Sequence, residues 1–280
     1  FLGAGSGRVG GSNTGQGNTI GGNKLGGIHI TGSSAGGLVQ GNFIGVNAAG
    51  TIISNQSDGI LLAGTDWLVG GSNVASRNII SGNQNYGVTL NFATACRVAG
   101  NFIGIDAGGT AKGNKLDGVN LSGSINCEVG GATTNEANII CGNGGIGISL
   151  PTGASNTIRG NLIGVLASGV AASNTSFGIR MGITTGIVIG GSSPGERNVI
   201  SGNGGDNIHI LAESSGAWIK GNFIGLNPAG TAAAITGLTY GINARGAGHM
   251  IGGTNSGEGN VISGNGQSGV LLQGTGIQVA

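Results

Sequence analysis

The run Gly41-Asn42-Phe43-Ile44-Gly45 contains a triplet, Asn-x-Ile, that decides the fold. The triplet begins at Asn18, Asn42, Asn78, Asn101, Asn138, Asn161, Asn198, Asn222 and Asn260, and neither its Asn nor its Ile is ever replaced. The steps between copies alternate, short (23 or 24 residues) then long (36 to 38). A solenoid produces such a register, because each turn must return the same side chain to the same place.

Two further columns run in step with the triplet. One is an Asn four residues before a Gly: Asn23, Asn55, Asn83, Asn114, Asn143, Asn174, Asn203 and Asn265. It departs from the pattern twice: Asn207 stands where the Gly is expected, which predicts a left-handed backbone there, and Gly237 stands where the Asn is expected. The other column is Val or Ile two residues before a Gly, from Val9 and Val39 through Val129 to Ile251. Each turn therefore reads as three short strands: Gly-Ile/Val, Val-x-Gly and Asn-x-Ile. Odd turns carry a loop between strands two and three, such as residues 71–77, and even turns carry one after strand three, such as residues 107–113. Two unequal turns make a superrepeat of about 60 residues.

Strands that pair with their own copies in the next turn predict an all-β chain, a right-handed parallel β-helix of about nine turns over residues 1–280. At ~4.8 Å per turn the rod is roughly 40 Å long. The Ile and Val columns face inward, and the nine triplet Asn residues are expected at a corner, their amides bonding from turn to turn and to backbone groups left open by the bend.

Composition narrows function. There are 66 Gly in 280 residues, but they are periodic and apolar residues make up 38%, which excludes disorder; they do not fall every third residue, which excludes collagen. A net charge of +1 without a basic stripe excludes a nucleic-acid surface, and no apolar run is long enough for a membrane span.

The runs Gly-Asn-Phe-Ile-Gly (41–45, 100–104, 221–225), Val-Gly-Gly (69–71, 129–131) and Asn-Ile-Ile-Ser-Gly-Asn (78–83) resemble the parallel β-helix repeats of bacterial secreted and cell-surface proteins. The resemblance covers the whole chain and implies a pectate-lyase-like fold and an extracellular or cell-surface location. That fold hosts lyases, hydrolases, alginate epimerases, tailspikes and adhesins, so it does not choose a function.

Enzymes of that kind cluster acids or calcium ligands. Here Asp58, Asp117 and Asp206 share one position before the turn, but Asp58 and Asp117 are two turns and ~10 Å apart, too far for a retaining pair and near the limit for an inverting one. They read as solvated corner residues. His29 and His209 share a position six turns apart, and no calcium-binding Asp repeat is present. No catalytic, cofactor or metal residue is therefore assigned. Cys96 and Cys127 fall on neighbouring turns and are expected to stack, as a disulfide or as two small buried side chains, and Arg97 is expected beside Glu128.

The middle residues of the triplets, Phe43, Ile79, Phe102, Ile139, Leu162, Val199, Phe223 and Val261, form an outward apolar stripe. Either the even-turn loops cover it or it is a contact surface. Phe1-Leu2 falls at a strand position and Val279-Ala280 falls mid-motif, so the chain reads as a window of a longer array that associates end to end, laterally or with other domains. The expected function is a non-catalytic extracellular rod: a stalk, adhesin or filament subunit. The alternative is a carbohydrate-active or carbohydrate-binding β-helix with a polysaccharide partner.

Overall fold

A computed structural model describes residues 7–32, 35–233 and 239–280. Its strands form three parallel sheets, of nine, ten and nine strands. Sheet one holds the Gly-Ile/Val strands, sheet two the Val-x-Gly strands and sheet three the Asn-x-Ile strands. Each strand pairs in register with its copy one turn away, as in Val9↔Val39, Ile103↔Ile140 and Ile179↔Ile208. The chain is thus an all-β solenoid of about nine turns, with no α-helix among the described residues. Phe1, Leu2 and Gly237 lie outside the described residues.

The inward columns make the core. Ile44, Ile80, Ile103, Ile140, Ile163, Ile200 and Ile224 from sheet three are fully buried, facing Val39, Val69, Val98, Val129 and Ile158 from sheet two. Burying such side chains supplies about 1.5–3 kcal/mol each.

The nine triplet Asn residues form an unbroken ladder at the corner between sheets two and three. Each Nδ2 donates to the Oδ1 of the next Asn at 2.9–3.1 Å, through all eight steps from Asn18 to Asn260. The same Oδ1 accepts a backbone N–H, as from Asn101 to Asn138 at 2.9 Å, and Nδ2 also reaches a sheet-two carbonyl, as from Asn161 to Val129 at 2.9 Å. Each amide thereby satisfies backbone groups that the corner takes out of both sheets.

A second Asn ladder turns the corner between sheets three and one, from Asn23 to Asn203, with amide bonds of 2.7–3.0 Å. The Gly four residues on is required by space: a Cβ on Gly59 would lie 2.6 Å from the Gly87 carbonyl oxygen and 2.8 Å from Asn83 Nδ2. Asn207 is not in the left-handed region, which corrects the sequence expectation. Its side chain instead enters the ladder, accepting from Asn203 Nδ2 at 3.2 Å and donating to Asn265 Oδ1 at 2.9 Å.

A third, chemically mixed ladder lies between sheets one and two. Trp67 N–H donates to Cys96 Sγ (3.5 Å), Cys96 N–H to Cys127 Sγ (3.4 Å), Cys127 N–H to Asn156 Oδ1 (2.8 Å), and Ala217 N–H to His249 Nδ1 (3.1 Å). Cys96 and Cys127 stack as expected; both are buried and free, and besides filling space they accept backbone hydrogen bonds.

Candidate functional site

Two outward surfaces collect the side chains that the three ladders leave over. The first lies on sheet one. Its central column reads His29, Leu61, Thr89, Asn120, Ser149, Arg180, His209, Asn243, one residue per turn in register. Beside it runs the residue preceding each turn Gly or its substitute: Asp58, Tyr86, Asp117, Ile146, Phe177, Asp206 and Tyr240.

The three aspartates are corner residues, two of them buried and Asp117 half-buried. Asp58 and Asp206 are buried, at 8% and 7% exposure. Each Asp accepts a backbone N–H from the next turn: Tyr86 to Asp58 (3.4 Å), Ile146 to Asp117 (2.7 Å), Tyr240 to Asp206 (3.0 Å). The expectation of free surface acids fails because the bend leaves these N–H groups without a sheet partner, and a carboxylate at this position meets them. Burial pushes the Asp117 carboxyl up, against the opposing pull of the Ile146 N–H, Arg180 and Ser149. Burial and the nearby Asp117 raise the Tyr86 phenol.

Asp206 does more. Its Oδ2 lies 2.8 Å from His209 Nδ1 and accepts from Asn243 Nδ2 at 3.1 Å. The Phe177 ring stacks on the His209 imidazole with centroids 4.5 Å apart. His209 is thus fixed on one side by a carboxylate and on one face by an aromatic ring, with Arg180 its partner on the neighbouring strand. This pairing of Asp206 with His209 is invisible when only His–His pairs are sought; its signal is the i, i+3 spacing across the corner.

Three polar atoms on this face, Thr89 Oγ1, Asn120 Oδ1 and Asn243 Oδ1, are buried and have no hydrogen-bond partner among the described residues. Such groups normally have one. All three belong to the central column. From Thr89 to Asn243 the column therefore holds alcohol, amide, guanidinium and imidazole groups in a row with aromatic rings alongside; Arg180 and His209 are partly exposed and the others are buried. The carboxylates of this face are too far apart for a retaining pair: Asp58 and Asp117 are two turns apart and Asp117 and Asp206 three, about 10 and 14 Å, the first near the upper limit of an inverting pair.

The second surface is the apolar stripe on sheet three. Phe43, Phe102, Ile139, Leu162 and Phe223 remain partly exposed, Ile79 and Val199 are 5% exposed, and Val261 is 46% exposed. The even-turn loops flank it and cover it in part, as where Gly230 packs against the Phe223 ring. Their tips, at Ala107, Ala167 and Pro228, stand along one side, while the short 3-10 turns Val74–Ser76, Thr134–Glu136 and Pro194–Glu196 stand along the other. The stripe becomes the floor of a groove, with sections of about 540 and 290 Å3.

An ion network on sheet two holds the odd-turn wall in place. Arg97 lies 3.0 Å from Glu128, as the sequence suggests, and 3.1 Å from Glu136; Arg159 joins Glu128 and Glu196 at 2.7 Å each. Glu136 and Glu196 also close capping boxes with Thr133 and Ser193. Single exposed pairs contribute under ~1 kcal/mol; here their effect is to fix two loop conformations.

The family model described as "Periplasmic copper-binding protein (NosD)" matches residues 5–164, more than half of the chain. No curated protein matches the sequence significantly. Among solved structures, a mutant of the periplasmic alginate epimerase AlgG superposes with a TM-score of 0.50 at 15% identity, covering 88% of this chain and 58% of that one. The A-module of the Azotobacter vinelandii mannuronan C-5 epimerase AlgE6 superposes with a TM-score of 0.48 at 14% identity, covering 98% and 83%. At such identities the likeness is one of fold; the chain spans 58% of the AlgG structure's length.

Proposed function

The chain belongs to the NosD family, and from that premise we propose that it is a β-helix of the bacterial periplasm or cell exterior that binds an extended acidic polysaccharide along sheet one. The observation that carries this reading is the column Thr89-Asn120-Ser149-Arg180-His209-Asn243, in which three buried polar atoms lack a partner among the described residues and the cation Arg180 stands partly exposed in the same row. Successive turns repeat at ~4.8 Å, close to the length of one sugar unit, so hydroxyl and carboxylate groups of a chain laid along the rod meet successive rungs. Tyr86, Phe177 and Tyr240 flank the path. A stalk, adhesin or filament role rests on the regular coil alone and explains neither this column nor its orphaned atoms.

The family name implies copper, and the residues do not fit a copper centre. Among the described residues no three His, Cys, Asp or Glu side chains converge. Cys96 and Cys127 are adjacent but sealed in the core, where both sulfurs already accept N–H bonds. Metal ligation needs thiolates, and the hydrogen bond shared by the two thiols, which lowers Cys96, pushes Cys127 strongly upward together with burial, so the pair does not supply two thiolates. Both His249 ring nitrogens are engaged, by Ala217 N–H and by the Arg245 carbonyl.

Titration calorimetry with oligouronates and size-matched neutral oligosaccharides tests the proposal. Saturable binding of the oligouronate, weakened about tenfold or more by Arg180→Gln, supports it; equal binding of neutral and acidic chains, or none, overturns it. The Asp206–His209 pair beside Arg180 favours a second reading, in which His209 takes a proton from carbon adjacent to a sugar carboxylate neutralised by Arg180. That reading requires deuterium to enter oligouronate C–H positions in heavy water, and to stop entering with His209→Gln.

A further inference from the structure

The groove on sheet three is separate from the polar face of sheet one, and its charges are arranged differently. Arg77 lies with Cζ 4.1 Å above the Phe102 ring, and Arg197 with Cζ 4.1 Å above the Phe223 ring. In each, Nε donates to the carbonyl of a turn Gly, Gly100 or Gly221, at 3.1 Å. The two sites are therefore built alike, and each guanidinium is held flat against an aromatic ring. Neither arginine forms an ion pair among the described residues. Burial pushes the Arg77 guanidinium down from its usual value. An arginine half out of water without a counter-charge is a standing preference for an anion.

Their spacing selects the anion. Arg77 and Arg197 occupy equivalent positions four turns apart, which at ~4.8 Å per turn is about 19 Å along the rod. The equivalent position midway between them is Ala137, which leaves the groove open over Ile139 and Leu162. Between the two cations the floor is Phe102, Ile139, Leu162 and Val199, with no side chain that donates or accepts a hydrogen bond. A sugar chain would lay its hydroxyls on this floor without partners, at a desolvation cost. Apolar side chains would not.

We propose that this groove docks an extended peptide segment whose two carboxylates, six residues apart, meet Arg77 and Arg197 while apolar side chains between them rest on Ile139 and Leu162. The register follows from strand geometry. An extended chain rises 3.2–3.4 Å per residue, so about 19 Å is close to six residues, and positions i, i+2, i+4 and i+6 face the same way. The recognition pattern is acid-x-apolar-x-apolar-x-acid. The 3-10 turns on one wall and the even-turn tips on the other confine the peptide to the direction of the rod axis.

The test uses the whole chain and a fluorescein-labelled, end-capped heptapeptide Asp-Ser-Leu-Ser-Leu-Ser-Asp, read by anisotropy at low ionic strength. The expected result is saturable binding that weakens about tenfold or more when both Asp are replaced by Asn, or both Leu by Ser. Arg77→Gln with Arg197→Gln should give the same loss, while Arg77→Lys with Arg197→Lys retains part of the affinity. Both arginines are partly exposed, and an unchanged melting temperature shows that the variants fold. Indifference to the charge swap, full affinity in the double Gln variant, or binding lost only with Arg180→Gln on sheet one would overturn the proposal. So would an oligouronate that competes with the labelled peptide while the unlabelled peptide does not.

Discussion

Asn207 Nδ2 donates to Asn265 Oδ1 at 2.9 Å, across 58 residues and two turns of the coil. The bond exists where two departures from the repeat coincide in consecutive turns: an Asn in place of Gly, and Gly237 in place of Asn. The extra amide links Asn203 to Asn265, accepting from the one and donating to the other. Asn207→Gly is therefore expected to destabilise the protein by about 1–3 kcal/mol, because buried ladder groups lose their partner. Thermal melts of the wild type and the variant check this; an unchanged melting temperature would sink the idea.

The main Asn ladder should be least forgiving in its middle. Asn161→Ala strips partners from Asn138, Asn198 and the Val129 and Arg159 carbonyls at once. A loss of roughly 3 kcal/mol or more is expected in denaturant melts. The partly exposed end member Asn18, which makes two bonds to Asn42, should cost about 1 kcal/mol on the same substitution.

Ala95 offers a gain. Its φ is 54°, at a corner position where the equivalent residues of later turns are Gly186 and Gly216 at 65° and 61°. A left-handed conformation costs an Ala about 1 kcal/mol that Gly does not incur. Ala95→Gly should raise the stability by up to ~1 kcal/mol, readable as a higher denaturant midpoint at constant slope.

His249 should make the fold acid-sensitive. Desolvation by burial lowers its pKa below the ordinary 6.5, against the raising effect of the Arg245 carbonyl. Nδ1 must stay unprotonated to accept the Ala217 N–H. Between its folded pKa and 6.5 the unfolded chain binds a proton that the folded chain does not, so stability rises with pH in that window. It should be complete above about pH 7.5 and fall as the pH is lowered toward 5. His249→Asn, which copies Asn156 on the same ladder, should flatten that stretch of the melting-temperature profile.

The thiols should be silent in the native state. Cys96, Cys127 and Cys141 are all buried, and burial pushes the Cys141 thiol up to about 12. A disulfide-exchange reagent should label none of them at neutral pH and all three after unfolding. Fast native labelling of Cys96 or Cys127 would contradict their role as ladder acceptors.

The fold was legible because a solenoid writes its geometry into the sequence as spacing. Asn42 and Asn78 must be Asn, and Ile44 and Ile80 must be Ile, because each stacks on its own copy. The third ladder escaped notice for the opposite reason. Cys96, Cys127, Asn156 and His249 share a position and a task, but any side chain with an acceptor at the right height can perform it, so no letter repeats. The Asp206–His209 pair escaped because its two residues belong to different columns and meet only once the corner is bent. The apolar stripe was readable as outward-facing, whereas its walls were not, since loop direction depends on capping contacts such as Ser193 with Glu196.

All eight links of the main ladder run in one sense, with the nitrogen of each carboxamide pointing toward the C-terminal side of the rod and its oxygen toward the N-terminal side. The second and mixed ladders run the same way. Aligned carboxamides add like vectors and polarise one another, so the coil has an arrow as an α-helix does, electropositive ahead and electronegative behind. Any ligand with its own polarity, whether a peptide or a sugar chain, meets a track on which its two directions of travel are not equivalent.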